Sequence, residues 1–559
     1  MSLAHTADTR QFPWPSPPDA HEWWRDCVIY QLYCKSFADS DGDGVGDLDG
    51  ITARLDHIAS LGVDGIWLNP SYPSPGRDGG YDVADYLTID EALGGLPAFE
   101  RLLAGTHARG LKLLLDLVPN HCSDQHPWFR AALAAEPGSL ERRRFLFRDG
   151  RGLDGNEPPN NWTSVFGGPA WTRVVEADGR PGQWYLHSFD ATQPDFDWTE
   201  PDVVRMFDTV LHTWFERGVD GFRIDVAYAM VKHPELPDVD DVDGPNPYLW
   251  NQPGVHEIFA RWRKIAASYN RDLLLVGEVW LPPQDAVDYI RPGELHQVFL
   301  FDLMQQPFER AAFQGSVDAA VTGLGRAAGV PAWTLNNHDV HRSVSRYGLV
   351  EPEPMHTADP NALRTRARGR VDVELGAARA RAALLITLAL PGAVYLYQGE
   401  ELGLPEVQDL PAEARLDPIW TRSGGTEHGR DGARVPLPWT ADREGFGFSP
   451  VGAPDSWLPQ PAWFAQFAVA VQDADPASTL AFYRRALKAR REQNLTGPLT
   501  WLDTARDDVL AMRRGELICL TVFDGGDFEW PDRWGTPVLR SGPDDGPAHP
   551  NETVWLRIT

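Results

Sequence analysis

The chain has 559 residues, with 80 Asp and Glu against 51 Lys and Arg, and a formal net charge of −29 at pH 7. Such an acidic surface repels phosphate backbones and anionic lipids, which excludes nucleic acid and membrane surfaces as partners, and the length admits a large core with more than one domain. Four cysteines without a CxxC pair argue against a disulfide framework or a zinc site, the first twenty residues carry no signal-like segment, and no apolar run has membrane-spanning length; a cytoplasmic protein is expected.

Short apolar, β-rich runs recur along the chain: VIYQLYCKSF (28–37), GIWLNP (65–70), LKLLLDLVPNH (111–121), GFRIDV (221–226), LLLVGEVW (273–280), HQVFLFD (296–302), AWTLNNHD (332–339) and AVYLYQGEE (393–401). Helical spacing separates them. It is clearest at 200–217, where Val203, Val204, Phe207, Val210, Leu211, Trp214 and Phe215 form one stripe behind Thr199 as the expected N-cap. Eight strands alternating with helices predict an α/β fold, a (β/α)8 TIM barrel over 22–120 and 200–492. Residues 121–199, rich in Gly, Pro, Trp and Asn, are too long for a loop and predict an inserted subdomain after strand 3. A second long stretch, 402–475, follows strand 8 and should stand over the same barrel mouth. Residues 493–559 hold the β-runs of a small C-terminal antiparallel domain.

Active sites of such barrels lie at the C-terminal ends of the strands. Polar residues gather there: Asp116, Asn120 and His121 after strand 3, Arg223 and Asp225 on strand 4, Glu278 on strand 5, and Asn337, His338 and Asp339 on strand 7. Arg223 and Asp225 alternate with Phe222 and Ile224, so the charged pair shares one face of its strand while the apolar residues pack on the other. Three carboxylates at one mouth suit glycoside hydrolysis, in which one acid attacks, one donates a proton and others hold the sugar. The 22 tryptophans fit sugar stacking as well as core packing.

The segments DLVPNH (116–121), GFRIDVAY (221–228), GEVW (277–280) and NNHD (336–339) resemble, in order and spacing, the four signature regions of the α-amylase superfamily, glycoside hydrolase family 13. QPDFDW (193–198) and GIWLNP with GGYDVADY (79–86) resemble two further regions, and GEELGLPEV with GRDGARVPLPW (429–439) is similar to the oligo-1,6-glucosidase and α-glucosidase branch. The resemblance implies Asp225 as nucleophile, Glu278 as general acid/base and Asp339 as the acid gripping sugar hydroxyls. It further implies that Asp82, His121, Arg223 and His338 line the pocket, joined by Arg430 from the strand-8 loop and Phe189 from the insertion. Asp116 is read as a structural residue of the barrel rim. Val226, directly after the nucleophile, leans toward α-1,6 linkages in that branch. Tyr228 stands where Asn or His is usual, QPDFDW replaces QPDLNW, and the C-terminal domain is short, without support for starch binding.

DSDGDGVGDLDG (39–50) has the spacing of an EF-hand-type calcium loop, with Asp39, Asp41, Asp43, the Val45 carbonyl and Asp47 as ligands, but Gly50 where the bidentate Glu belongs. Related oligo-1,6-glucosidases bear a similar loop with a divalent ion, which implies structural calcium, with magnesium or a merely solvated acidic turn as alternatives. The function implied is a retaining exo-acting α-glucosidase on disaccharides and short oligosaccharides. A transglycosylase or isomerase of the sucrose isomerase or trehalose synthase type is the first alternative, and a non-catalytic barrel scaffold, which would require lost acids and a membrane anchor, is the distant one.

Overall fold

The computed structural model describes residues 11–12 and 22–558 apart from 243, 355–364, 494 and 496. Eight parallel strands close a barrel: β1 (Val28–Leu32), β2 (Gly65–Leu68), β3 (Lys112–Leu117), β4 (Gly221–Ile224), β5 (Leu274–Gly277), β6 (Gln297–Phe299), β7 (Val330–Thr334) and β8 (Ala393–Tyr397). Each pairs with its neighbour in sequence, and β8 returns to β1 through Val394 opposite Val28. Most strands stop before the ends of their apolar runs. β4, for example, ends at Ile224, one residue before Asp225 at the rim.

Alternation sorts the strand residues. Ile29, Trp67, Leu114, Val276, Phe299, Ala332 and Tyr395 fill the barrel interior, whereas Tyr30, Ile66, Leu115, Phe222, Ile224 and Leu275 pack outward under the helices. The helix Pro201–Arg217 shows the packing. Val203, Phe207, Val210, Leu211, Trp214 and Phe215 are buried, Val204 only partly, and Trp214 also donates from Nε1 to the Tyr86 carbonyl at 2.8 Å. Burying each such side chain is worth about 1.5–3 kcal/mol. Thr199 is not its N-cap: the hydroxyl bonds the Asp197 carboxylate at 2.6 Å, and the cap position falls on Glu200, whose side chain makes no capping bond. Pro201 opens the first turn, where a missing N–H costs nothing.

The segment between β3 and Pro201 holds a three-stranded antiparallel sheet, in the order Phe147–Arg148, Pro181–Leu186, Trp171–Val175. A second excursion, 227–254 after β4, folds against it. Leu236, Val239 and Leu249 share a cluster with Leu146, Trp162, Trp171 and Leu186, and Trp162 donates to the Pro237 carbonyl at 2.8 Å. Most of this buttress lies in "AYAMVKHPELPDVD" (227–240), where neither strand nor helix periodicity marks it.

The C-terminal sheet comprises β9 (Leu499–Leu502), β10 (Val509–Arg514), β11 (Leu517–Val522), β12 (Thr536–Arg540) and β13 (Glu552–Arg557). Its spatial order is β9-β10-β11-β13-β12, all antiparallel, with Gln11–Phe12 added beside β9. It docks on the helix Val373–Ala389, which is apolar almost all round. Trp555 Nε1 donates to Leu385 O at 3.1 Å and Thr553 Oγ1 to Ala382 O at 2.9 Å. Among the described residues no helix is long and apolar enough to cross a membrane.

Candidate active site

One guanidinium organises the barrel mouth. Arg223 on β4 points inward over the Trp67 ring at 4.9 Å, and its Nη1 reaches Asp225 Oδ1 at 2.6 Å and Asp116 Oδ1 at 3.0 Å while Nη2 reaches Glu278 Oε2 at 2.8 Å. Asp116 also accepts from Trp67 Nε1 at 3.0 Å and Tyr81 Oη at 2.9 Å. Glu278 accepts from the Val226 N–H at 2.9 Å and from Trp280 Nε1 at 2.7 Å. Asp225 and Glu278 thus sit on adjacent ends of one cation, with exposures of only 5% each.

Three carboxylates around one arginine cannot all ionise freely. Burial, and then the charge of Glu278, push the Asp225 carboxyl well above the ordinary carboxylate range against the pull of Arg223, and burial raises Asp116 to about 7. The cluster therefore retains a proton near neutral pH, and its titration belongs to the group rather than to one residue.

Asp339 behaves oppositely. Burial alone would raise it, but His338, Arg430, Arg434 and Arg223 outweigh that effect and hold it well below the carboxylate range, ionised. Arg430 Nη1 lies 3.0 Å and Arg434 Nη2 3.2 Å from its Oδ1. His338 is buried, and burial depresses its pKa strongly. Its Nδ1 takes the Gln31 amide at 2.8 Å, which leaves the proton on Nε2, 3.3 Å from Asp339 Oδ2. The ring stacks on Tyr81 with centroids 5.1 Å apart.

The insertion and the strand-8 loop meet across this mouth. Arg430 lies over the Phe166 ring at 5.2 Å, and Arg422 Nη1 reaches Asp190 at 3.2 Å while its Nε donates to the Gly167 carbonyl at 2.9 Å. His121, held neutral by burial with its pKa lowered to about 4, contacts Phe189 at 5.0 Å and Gln193 Nε2 at 3.1 Å. Phe189 packs in turn on Trp250, which stacks on Tyr228. Val226 lies at the same rim, 8% exposed.

Asp82 does not face the pocket. It is fully buried, and its carboxylate is consumed by Ser74 Oγ at 2.8 Å and the N–H groups of Arg77 and Asp78 at 2.9 and 3.1 Å. The acid of this segment that faces the site is Asp78, whose oxygens take Arg430 Nη2 at 2.8 Å and Gln193 Nε2 at 3.1 Å. Sequence reasoning also missed Tyr81, Trp280, Arg434 and Asp417. The last anchors Arg430 through Nε at 2.7 Å. For Asp78 the only sequence signal was its place just before GGYD.

In the acidic loop, oxygens of Asp39, Asp41 and Asp43 lie within 4.8 Å of one another. Slight burial and the neighbouring Asp43, Asp47 and Asp39 raise Asp41 against a backbone N–H bond, so this all-oxygen set suits a hard divalent cation. Asp47 does not join the three: it caps the helix Leu48–Ala53, taking Gly50 N at 2.7 Å and Ser40 N at 2.7 Å. A helix N-cap and the ninth position of a cation loop fall on the same aspartate, and the helix takes it.

The family profile for the α-amylase catalytic domain matches residues 31–497. The chain is 34% identical over 512 residues to the oligo-1,6-glucosidase of Parageobacillus thermoglucosidasius, covering 85% of this chain and 84% of that one. It is 37% identical over 497 residues to a probable α-glucosidase of Rhizobium meliloti (strain 1021), covering 85% and 83%. Among solved structures, the α-glucosyl transfer enzyme XgtA superposes with a TM-score of 0.80 at 32% identity, covering 96% of this chain and all of that one. A mutant of the trehalulose synthase MutB, in complex with Tris, gives 0.81 at 28% identity with the same coverage.

Proposed function

Because the chain belongs to the α-amylase family of glycoside hydrolases, we propose that it is a retaining, exo-acting α-glucosidase that removes terminal glucose from disaccharides and short oligosaccharides. The observation that carries this reading is the pair Asp225 and Glu278 on one guanidinium, beneath a mouth roofed from both sides. Such closeness suits retention, since an inverting pair must leave room for a water between its carboxyls. In the first step Asp225 attacks C1 as Glu278 gives its proton to the departing glycosidic oxygen; the C1–O bond breaks and a glucosyl ester forms. Water then attacks C1 as Glu278 takes its proton, which frees Asp225 and yields the α-anomer. Asp339, held ionised by Arg430 and Arg434, grips sugar hydroxyls with His338, His121 and Arg223, and Asp78 joins them in place of Asp82.

The roof limits access to a chain end. Val226 gives a lean toward α-1,6 links, and a pocket difference of one or two methyl groups is worth only ~1–3 kcal/mol, a preference rather than an exclusion. Transglycosylation or isomerisation is the second reading, favoured by the likeness to an α-glucosyl transfer enzyme and a trehalulose synthase. Asp39, Asp41 and Asp43 with the Val45 carbonyl would hold calcium, or magnesium, whose contribution is to stiffen the loop. Four free, buried cysteines support a reducing, cytoplasmic location.

Proton NMR of the first-formed sugar from maltose and isomaltose, with chromatography of all products, tests the reading. The α-anomer of glucose is expected first, with starch cleaved far more slowly. A β-anomer first, or starch outrunning both disaccharides, would overturn it; products longer or rearranged would move the assignment to the second reading.

A further inference from the structure

Val226 has φ +41°, in the left-handed region. A β-branched side chain is crowded there, and such a conformation persists only where its surroundings over-determine it. The surroundings here are the two catalytic segments. The Asp225 N–H donates to Leu117 O at 2.8 Å, the Val226 N–H to Glu278 Oε2 at 2.9 Å and the Ala227 N–H to Glu278 O at 2.9 Å, while the Glu278 N–H returns to Ile224 O at 2.9 Å. Consecutive amides of the β4 end therefore grip Glu278 by its backbone and by its carboxylate. Only the turn at Val226 takes an N–H out of the strand ladder and aims it at a side-chain oxygen.

We infer that Val226 is a positioning residue for Glu278, its left-handed turn holding the amide that fixes the Glu278 carboxylate beside Asp225. The inference rests on Glu278 being the acid/base, and it assigns the strained backbone, apart from the side chain that lines the pocket, a task in the reaction. The other groups facing Glu278 are Arg223 and Trp280 as donors and the Asp225 and Asp116 carboxyls as its charged neighbours. An amide donated to a carboxylate favours its charged form, so losing that amide should make the acid cluster harder to ionise.

The direct test replaces Val226 with its α-hydroxy acid analogue, which exchanges the N–H for an ester oxygen and keeps the side chain. The alkaline limb of kcat/KM, where the Asp225, Asp116 and Glu278 cluster loses its proton, should move upward by about half a pH unit or more. Activity on isomaltose should fall roughly tenfold, with a smaller loss on an aryl α-glucoside whose leaving group needs little protonation. Val226→Gly keeps the amide and adopts the left-handed turn freely, so it should leave the alkaline limb in place, whatever its effect on KM and stability. An unmoved limb in the ester variant, equal losses on both substrates, or a limb shifted as far by Val226→Gly would overturn the inference. Glu278→Gln on the same two substrates separates the premises: equal losses there remove Glu278 as the acid, whereas unequal losses with an unresponsive ester variant remove only the role of Val226.

Discussion

Arg223→Lys keeps the positive charge at the centre of the site and removes its shape. The guanidinium serves three carboxylates at 2.6, 2.8 and 3.0 Å from two nitrogens, and it is 1% exposed. An ammonium is a point charge that cannot span Asp116, Asp225 and Glu278 together. Losing two of three charge-assisted bonds, each worth about 1.5–3 kcal/mol, puts the cost at about 3–6 kcal/mol, in line with the 3–5 kcal/mol typical of breaking a buried ion pair. That is a large share of the about 5–15 kcal/mol that keeps a typical domain folded. Urea unfolding should show a clearly lower midpoint. With Asp225 and Glu278, the proposed nucleophile and acid, no longer held on one fork, kcat/KM should fall by ~100-fold or more even where the protein is fully folded. Asp116→Asn provides the internal ranking, because Asp116 meets Arg223, Trp67 and Tyr81 and should cost stability more than turnover. An Arg223→Lys protein with the parent's midpoint and rates would refute the idea that this guanidinium holds the acids in place.

Chelation, or Asp43→Ala, should lower the melting temperature and touch turnover only secondarily; unchanged melting with no bound metal in either protein would remove the cation site. Stability should decline as pH falls from about 6.5 to about 4, because buried His121 has its folded-state pKa depressed to about 4 and its contribution, complete above the unfolded value, is lost on the way down. Melting temperatures across that window, compared with His121→Gln, measure the share; an equal slope in both proteins would contradict it.

The barrel was legible because parallel strands buried on both faces read as bare apolar runs, and the acids at its mouth because they stand where those runs end. Asp78 was not, since what turns it toward the site is Arg430, 352 residues away, while Asp82 four positions on is satisfied locally. Asp47 was read only as a loop ligand, and what withdraws it is the helix behind it, whose first turn it caps. Nothing in the letters GFRIDVAY announces a valine in the left-handed region, because residue preference argues against it and the bonds that impose it come from β3 and β5.

The helix Val373–Ala389 has apolar residues on nearly every side, and the partner for one of those sides is β13, the strand that carries Thr553 and Trp555 to its carbonyls. That strand is not an edge: it sits between β11 and β12. During synthesis, which folds chains from the N-terminal side, the side of the helix that β13 covers stays open until residues 552–557 have emerged. The C-terminal sheet is therefore no detachable module: a truncation before β13 is expected to expose that side of the helix and aggregate, and a shortened protein that stays monomeric by light scattering would contradict this.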